Sequence, residues 1–257
     1  MIKTTLKTSA LLLVVFLNNG CAETIDRTLS PPSDTHWVDV EVKNPSPWTR
    51  PFPLEVLYIS NACKRHFLSM RDGTRYEKVG YNPIKIPLQQ QGNSNLWKAK
   101  VAMNGGGSCD WKLSEFKMRI AYTDATHLGK DLVPGNGVGV KFAFDDLASQ
   151  NGQFETVSST VNLSPKYYPL IKTNKRISLM DTLSLFGEKD YLQKKINSQG
   201  GNISIFYAPT LDESKVVRMV APKEYKVGKY YKIIYPDGVV VSDGSTHPDV
   251  SKLEINR

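Results

Sequence analysis

The sequence predicts a mainly β protein. An antiparallel β-sandwich-like domain spans residues 36–165, and a smaller β-rich C-terminal module carrying one short helix spans 166–257. Three observations lead to this. Apolar and polar residues alternate in short runs, the period of half-buried strands. Gly, Pro and Asn clusters separate those runs at the spacing of sandwich turns. No long amphipathic helical pattern occurs before residue 165.

In chain order, Lys3 and Lys7 precede an apolar run from Ala10 to Leu17, the charged and apolar regions of a secretory signal over residues 1–20. The run is too short for a membrane-spanning helix, which needs about 20 apolar residues. Residues 21–35 are polar with paired prolines and read as a flexible tether. In HWVDVEV, Val38, Val40 and Val42 share one face of a strand and Asp39 and Glu41 the other. A proline-studded connection follows, then LEVLYIS runs toward Cys63. LWKAKVAM turns Trp97, Ala99, Val101 and Met103 inward. NGGGSCDW is a turn that delivers Cys109 to a strand with Phe116, Met118, Ile120 and Tyr122 on its apolar face. Val138, Val140, Phe142 and Phe144 mark another strand, and Val157, Val161 and Leu163 the next. Beyond residue 166, RISLMDTLSLFG reads as strand or short helix, and DYLQKKI as the better short-helix candidate. NISIFY and KVVRMV are strands. YYKIIYPDGVVVSD is a hairpin closed by a Pro-Asp-Gly turn.

Cys21 directly follows Gly20, and LNNGCA resembles the lipobox of bacterial lipoproteins, in which a small residue precedes a cysteine that is lipidated and becomes the mature N-terminus. Asn18 departs from that pattern, which places leucine three residues before the cysteine; here Leu17 sits one place too early. The alternative is an ordinary signal peptide cut near Gly20–Ala22 that leaves Cys21 as a third thiol. Ala22 after the cysteine implies, by the sorting rules of such lipoproteins, the periplasmic face of the outer membrane. With Cys21 used as the anchor, Cys63 and Cys109 form an even pair, which in an oxidising compartment reads as a disulfide.

Removal of residues 1–20 takes away Lys3 and Lys7, leaving 31 basic and 25 acidic residues, a net charge of +6. Residues 166–257 hold most of the excess, with 15 basic and 10 acidic. That bias suits phosphate-rich lipid head groups or an acidic protein partner. No compact Lys/Arg block points to nucleic acid. The four histidines, His36, His66, His127 and His247, lie at no metal-ligand spacing, so neither a metal nor a cofactor is expected. GxSxG is lacking, so the chain does not read as an enzyme. The densest group of titratable residues is TDATHLGKD, with Asp124, His127 and Asp131; it reads as a polar loop after a strand, and less readily as acid–base machinery. Tyrosine is enriched at protein interfaces, and Tyr167, Tyr168, Tyr230 and Tyr231 are the candidate partner-binding residues. Adjacent tyrosines on a strand place one ring on each face, which predicts at least one outward ring per pair.

Taken together, LNNGCA, the cysteine segments YISNACKR and GGGSCDWKLS, and the tail YPDGVVVSDG resemble a group of small enterobacterial lipoproteins. Members of that group often sit beside phospholipase toxins delivered by type VI secretion. The resemblance implies a lipase-immunity lipoprotein that binds a toxin in the periplasm and is held at the membrane through its lipid. The competing expectation is a structural or envelope-assembly lipoprotein that binds another envelope component.

Overall fold

Alternation decides which side of each strand meets the core. In Trp37–Lys43, Val38, Val40 and Val42 are buried and the residues between them are partly exposed. The computed structural model describes residues 25–197, 200–224 and 226–254; the signal segment and Cys21 lie outside the described residues.

Among the described residues the strands form three sheets. A five-stranded sheet runs in the order Thr160–Leu163, Ile203–Tyr207, Trp37–Lys43, Leu96–Ala102, Gln89–Gln90. An eight-stranded sheet follows the path Glu155–Val157, Tyr191–Ile196, Val138–Ala143, Trp111–Tyr122, Leu54–Leu68, Arg75–Ile86, with Thr49–Pro51 and Asn104–Gly106 also paired to Trp111–Tyr122. The third sheet follows Val240–Val241, Lys232–Ile234, Val217–Val220, Lys166–Thr173, Asp181–Phe186, Leu132–Pro134, with Thr210–Leu211 beside Lys166–Thr173. Val40, Val101 and Ile205 of the first sheet belong to one hydrophobic core with Phe116, Met118, Val140 and Phe142 of the second. A second core, built around Tyr168, Leu170, Phe186, Val217, Met219, Ile233 and Tyr235, covers the other face of the third sheet.

The mainly β class is therefore correct, but its sheets are mixed rather than antiparallel. Trp37–Lys43 pairs antiparallel with Leu96–Ala102 and parallel with Ile203–Tyr207. Val138–Ala143 is likewise antiparallel to Trp111–Tyr122 and parallel to Tyr191–Ile196. Two strands from beyond residue 166 are thus interior members of sheets begun before it. Residue 165 does not separate independently hydrogen-bonded sheets.

Local expectations fail where neighbours outweigh propensity. DYLQKKI is the strand Tyr191–Ile196, because seven residues are too few for a self-sustaining helix and a strand there finds partners on both edges. The α-helix is instead Ser251–Glu254. VSSTVNL is two strands: Glu155–Val157 joins the eight-stranded sheet and Thr160–Leu163 the five-stranded one. Arg75–Ile86 carries Pro83, which lacks an amide donor; the strand occupies a sheet edge, where a proline is tolerated. The Pro-Asp-Gly hairpin forms as expected, with Gly238 at φ 86° and its amide donating to Tyr235 O at 3.0 Å.

Residues 25–35 are docked rather than free, a correction to the 21–35 tether. The Trp111 indole donates to Asp26 O at 3.1 Å, Ser108 Oγ to Asp26 Oδ2 at 2.8 Å, and Asn82 Nδ2 to Arg27 O at 2.8 Å. Gly106 and Gly107 make this approach possible: a Cβ would lie 2.1 Å from Ser30 O and 2.4 Å from Thr28 O respectively. Cys63 and Cys109 are joined in a disulfide, with Cα atoms 5.3 Å apart, next to this docked segment.

Several core side chains are tyrosines whose hydroxyls find partners inside. Tyr58 donates to Ala102 O at 2.7 Å, and Tyr207 to the Tyr167 hydroxyl at 2.9 Å. Burial pushes Tyr58 and Tyr167 up to about 12 from the ordinary 10.0, and holds Tyr207 well above that ordinary value. Unfolded phenols ionise near pH 10, so between about pH 10 and 12 the folded chain keeps protons that the unfolded chain has lost. The stability due to these groups is full below pH 10 and disappears as pH rises through 12. A pH series of thermal melts with tyrosinate absorbance at 295 nm should show buried phenols ionising together with loss of the β-sheet dichroism. Ionisation of all 12 tyrosines near pH 10 with the fold intact would contradict this.

Candidate functional site

The four candidate tyrosines divide into two kinds. Tyr167 and Tyr168 lie on Lys166–Thr173, a strand covered on both faces, so one ring enters each core and neither points outward. The expectation of an outward ring assumed one solvated face, and these two tyrosines cannot touch a partner as the chain is folded. Tyr168 donates to Glu254 Oε1 at 3.1 Å, fixing the C-terminal helix. Tyr231 packs against the second core, and its hydroxyl accepts from Asn174 Nδ2 at 3.2 Å. Tyr230 is different: it is 46% exposed.

Tyr230 stands at the rim of an open cavity of about 730 Å³ beside the third sheet, together with Lys223, Lys226, Lys229 and Lys232. One acid, Glu224, shares the rim and pairs with Lys226 at 2.5 Å. The intervening turn is closed by Lys229 N donating to Lys226 O at 2.9 Å, with Gly228 at φ 81°, and it presents Val227 fully to solvent. Four ammonium groups against one carboxylate give the cavity a positive field, and the phenol adds an apolar face with a polar tip. The arrangement suits recognition of an acidic surface. Composition located the basic excess and the tyrosine cluster in this third of the chain; only the sheet shows which tyrosine is outward.

The titratable loop arranges itself otherwise than the sequence suggests. Asp124 Oδ1 accepts from the Thr126 amide at 2.8 Å and hydroxyl at 2.7 Å, which holds its carboxyl below the usual carboxylate range and keeps it on its own turn. Asp131 is exposed. His127 turns to a residue far along the chain, Glu213, with Nε2 at 3.0 Å from Oε1. Tyr122 donates to the same oxygen at 3.0 Å, and burial followed by the Glu213 charge drives its phenol pKa upward. Trp48 lies flat on the imidazole, with centroids 4.5 Å apart and planes 4° from parallel. Since Glu213 accepts from both donors, the network assigns the His127 proton to Nε2, and Nδ1 is buried without a hydrogen-bond partner among the described residues. His127 hydrogen-bonds no serine, threonine or cysteine among the described residues. This cluster is a latch that ties the loop after Trp111–Tyr122 to the loop before Val217–Val220. No spacing in the sequence links Glu213 to His127, 86 residues apart.

Among the described residues, no group of three or more His, Cys, Asp or Glu side chains gathers as a metal site, and no helix is long and apolar enough to cross a membrane. No family model, curated protein or solved structure matches the chain.

Glu213→Ala should strand the buried Tyr122 hydroxyl and the His127 Nε2–H, at about 1–3 kcal/mol for each donor left without a partner. Glu213→Gln keeps an acceptor oxygen and should recover part of the loss. Urea denaturation reads both; equal midpoints for wild type and Glu213→Ala would show that the latch contributes nothing.

Proposed function

We propose that this chain is a lipoprotein, anchored through Cys21 on the periplasmic face of the outer membrane, that acts by binding and inhibiting a phospholipase toxin delivered by type VI secretion. The observation that carries the reading is Tyr230, half exposed among four lysines at the rim of a cavity framed by the third sheet. A solvent-facing aromatic ring within a field of one sign is the kind of anchor on which protein interfaces concentrate their energy. An inhibitor requires such a surface and no catalytic group.

The likeness of LNNGCA and of the two cysteine segments to immunity lipoproteins supplies the class of partner. Location supplies the advantage. An enzyme that attacks membrane phospholipid works at the bilayer, and an inhibitor tethered there meets it at high effective concentration.

Mixing the purified mature chain with a type VI secretion phospholipase encoded by a neighbouring gene should give a stable complex and loss of lipase activity. Tyr230→Ala should weaken that complex about tenfold or more, and Lys229→Glu should slow association and reduce its salt dependence. Both positions are exposed, so thermal melts should match wild type. Undiminished lipase activity with no complex would reject the reading.

A further inference from the structure

The long hairpin formed by Leu54–Leu68 and Arg75–Ile86 outgrows its sheet. Leu54–Leu68 pairs with Trp111–Tyr122 only from Glu55 to Ile59; beyond Ser60 its rungs are all to Arg75–Ile86. Residues 61–79 thus form a two-stranded ribbon in which no residue is buried. A bare ribbon of this kind is marginal in water unless something covers it.

Its surface is unusual. Leu68, Met70 and Tyr76 are exposed at 57%, 96% and 42%, and Phe67 stacks on Tyr76 with centroids 5.4 Å apart. Around them stand Lys64, Arg65, Arg71, Arg75 and Lys78, against two acids, Asp72 and Glu77. Both acids are engaged: Glu77 with Lys64 at 2.9 Å, and Asp72 with the Thr74 amide at 3.0 Å. The Arg65 guanidinium lies 4.0 Å from the centre of the Tyr81 ring. Arg71 and Arg75, beside the tip, form no ion pair with any described residue.

The position of the ribbon says what meets it. Ile25 and Asp26 line one cavity of about 880 Å³ together with Lys64, Arg65, His66 and Glu77, so the start of the docked N-terminal segment lies against the base of the ribbon. From Cys21 to Ile25 is four residues, at most about 14 Å of extended chain. From Lys64 to Met70 is six residues, about 20 Å along a strand. A lipid on Cys21 therefore holds the ribbon within reach of the head groups, and the docking of residues 25–35 leaves little slack to carry it away.

We infer that the ribbon of residues 61–79 is a second membrane contact, in which Leu68 and Met70 at its tip enter the interface of an anionic bilayer while Arg71 and Arg75, the latter paired across the strands with Leu68 and so on its face, bind lipid phosphates. Apolar and aromatic side chains flanked by cations are what interfacial binding uses, and one lipid signal gains most from a second one beside it. The inference rests on the reading of Cys21 as the anchor, and it gives the domain a fixed face toward the membrane.

The test uses the mature chain with Cys21→Ser, so that no acyl chain contributes. It should co-sediment with vesicles of phosphatidylethanolamine and phosphatidylglycerol, bind phosphatidylcholine vesicles at least tenfold less, and be released by 0.5 M salt. Arg71→Glu/Arg75→Glu should lower partition into the anionic vesicles at least tenfold, and Leu68→Ser/Met70→Ser should also lower it. All of these side chains are exposed, and melting curves verify that each variant folds. Equal partition of wild type and Arg71→Glu/Arg75→Glu, or no partition of either, overturns the inference. So does a result in which the ribbon variants lose the phospholipase complex and keep the vesicles, which would make the ribbon a protein-docking surface. Palmitate labelling of wild type and Cys21→Ser reads the anchor separately, so failure of the anchor and failure of the ribbon are told apart.

Discussion

Everything in this molecule is arranged around one strand that has no solvent side. Lys166–Thr173 sends Tyr167 and Ile171 into the core shared with the five- and eight-stranded sheets, and Tyr168 and Leu170 into the smaller second core. It is hydrogen-bonded antiparallel to Asp181–Phe186 on one edge and parallel to Thr210–Leu211 and then Val217–Val220 on the other. Pro169, which has no amide to donate, stands where the second edge changes partner, the place in a central strand where a missing donor matters least. Each aromatic buried here is tied by its hydroxyl, Tyr167 to Tyr207 and Tyr168 to Glu254. Disturbing the strand opens two cores at once.

The same topology explains how much was legible in the sequence. Strands with one wet face announced themselves by period two, as Val38, Val40 and Val42 or Phe116, Met118 and Ile120 do. Strands with both faces or both edges covered did not. KYYPLIKT has no alternation to read, and YLQKKI becomes a strand only because parallel neighbours from distant parts of the chain are waiting for it. Parallel pairing joins residues far apart in sequence, such as Val38 and Ile203, and no local pattern encodes it. The docking of residues 25–35 was hidden for a related reason: it depends on glycines at 106 and 107 that let two backbones approach, whereas the segment itself is polar and proline-rich.

The candidate sites follow that division. The disulfide was readable by counting, since two cysteines remain once Cys21 is set aside. The Tyr122–Glu213–His127–Trp48 latch was not, because its members come from three loops and a strand end. The basic cavity was half readable: composition gave the charge, but burial alone separates Tyr230 from the three tyrosines that serve the cores. Two exposed surfaces carry the functional reading, the cavity rim beside the third sheet and the ribbon beside the N-terminal segment. Under the proposed function recognition falls on the first, and the inferred membrane contact falls on the second.

The coupling of both cores through Lys166–Thr173 is tested most directly by native-state hydrogen exchange. Amides of Lys166–Thr173 and Val217–Val220 should exchange with the same free energy and the same denaturant dependence as those of Trp37–Lys43 and Ile203–Tyr207, all through global unfolding. If the third sheet exchanged at a lower free energy and with a smaller denaturant dependence while the first two stayed protected, the cores would be independent and the strand would not be their common support.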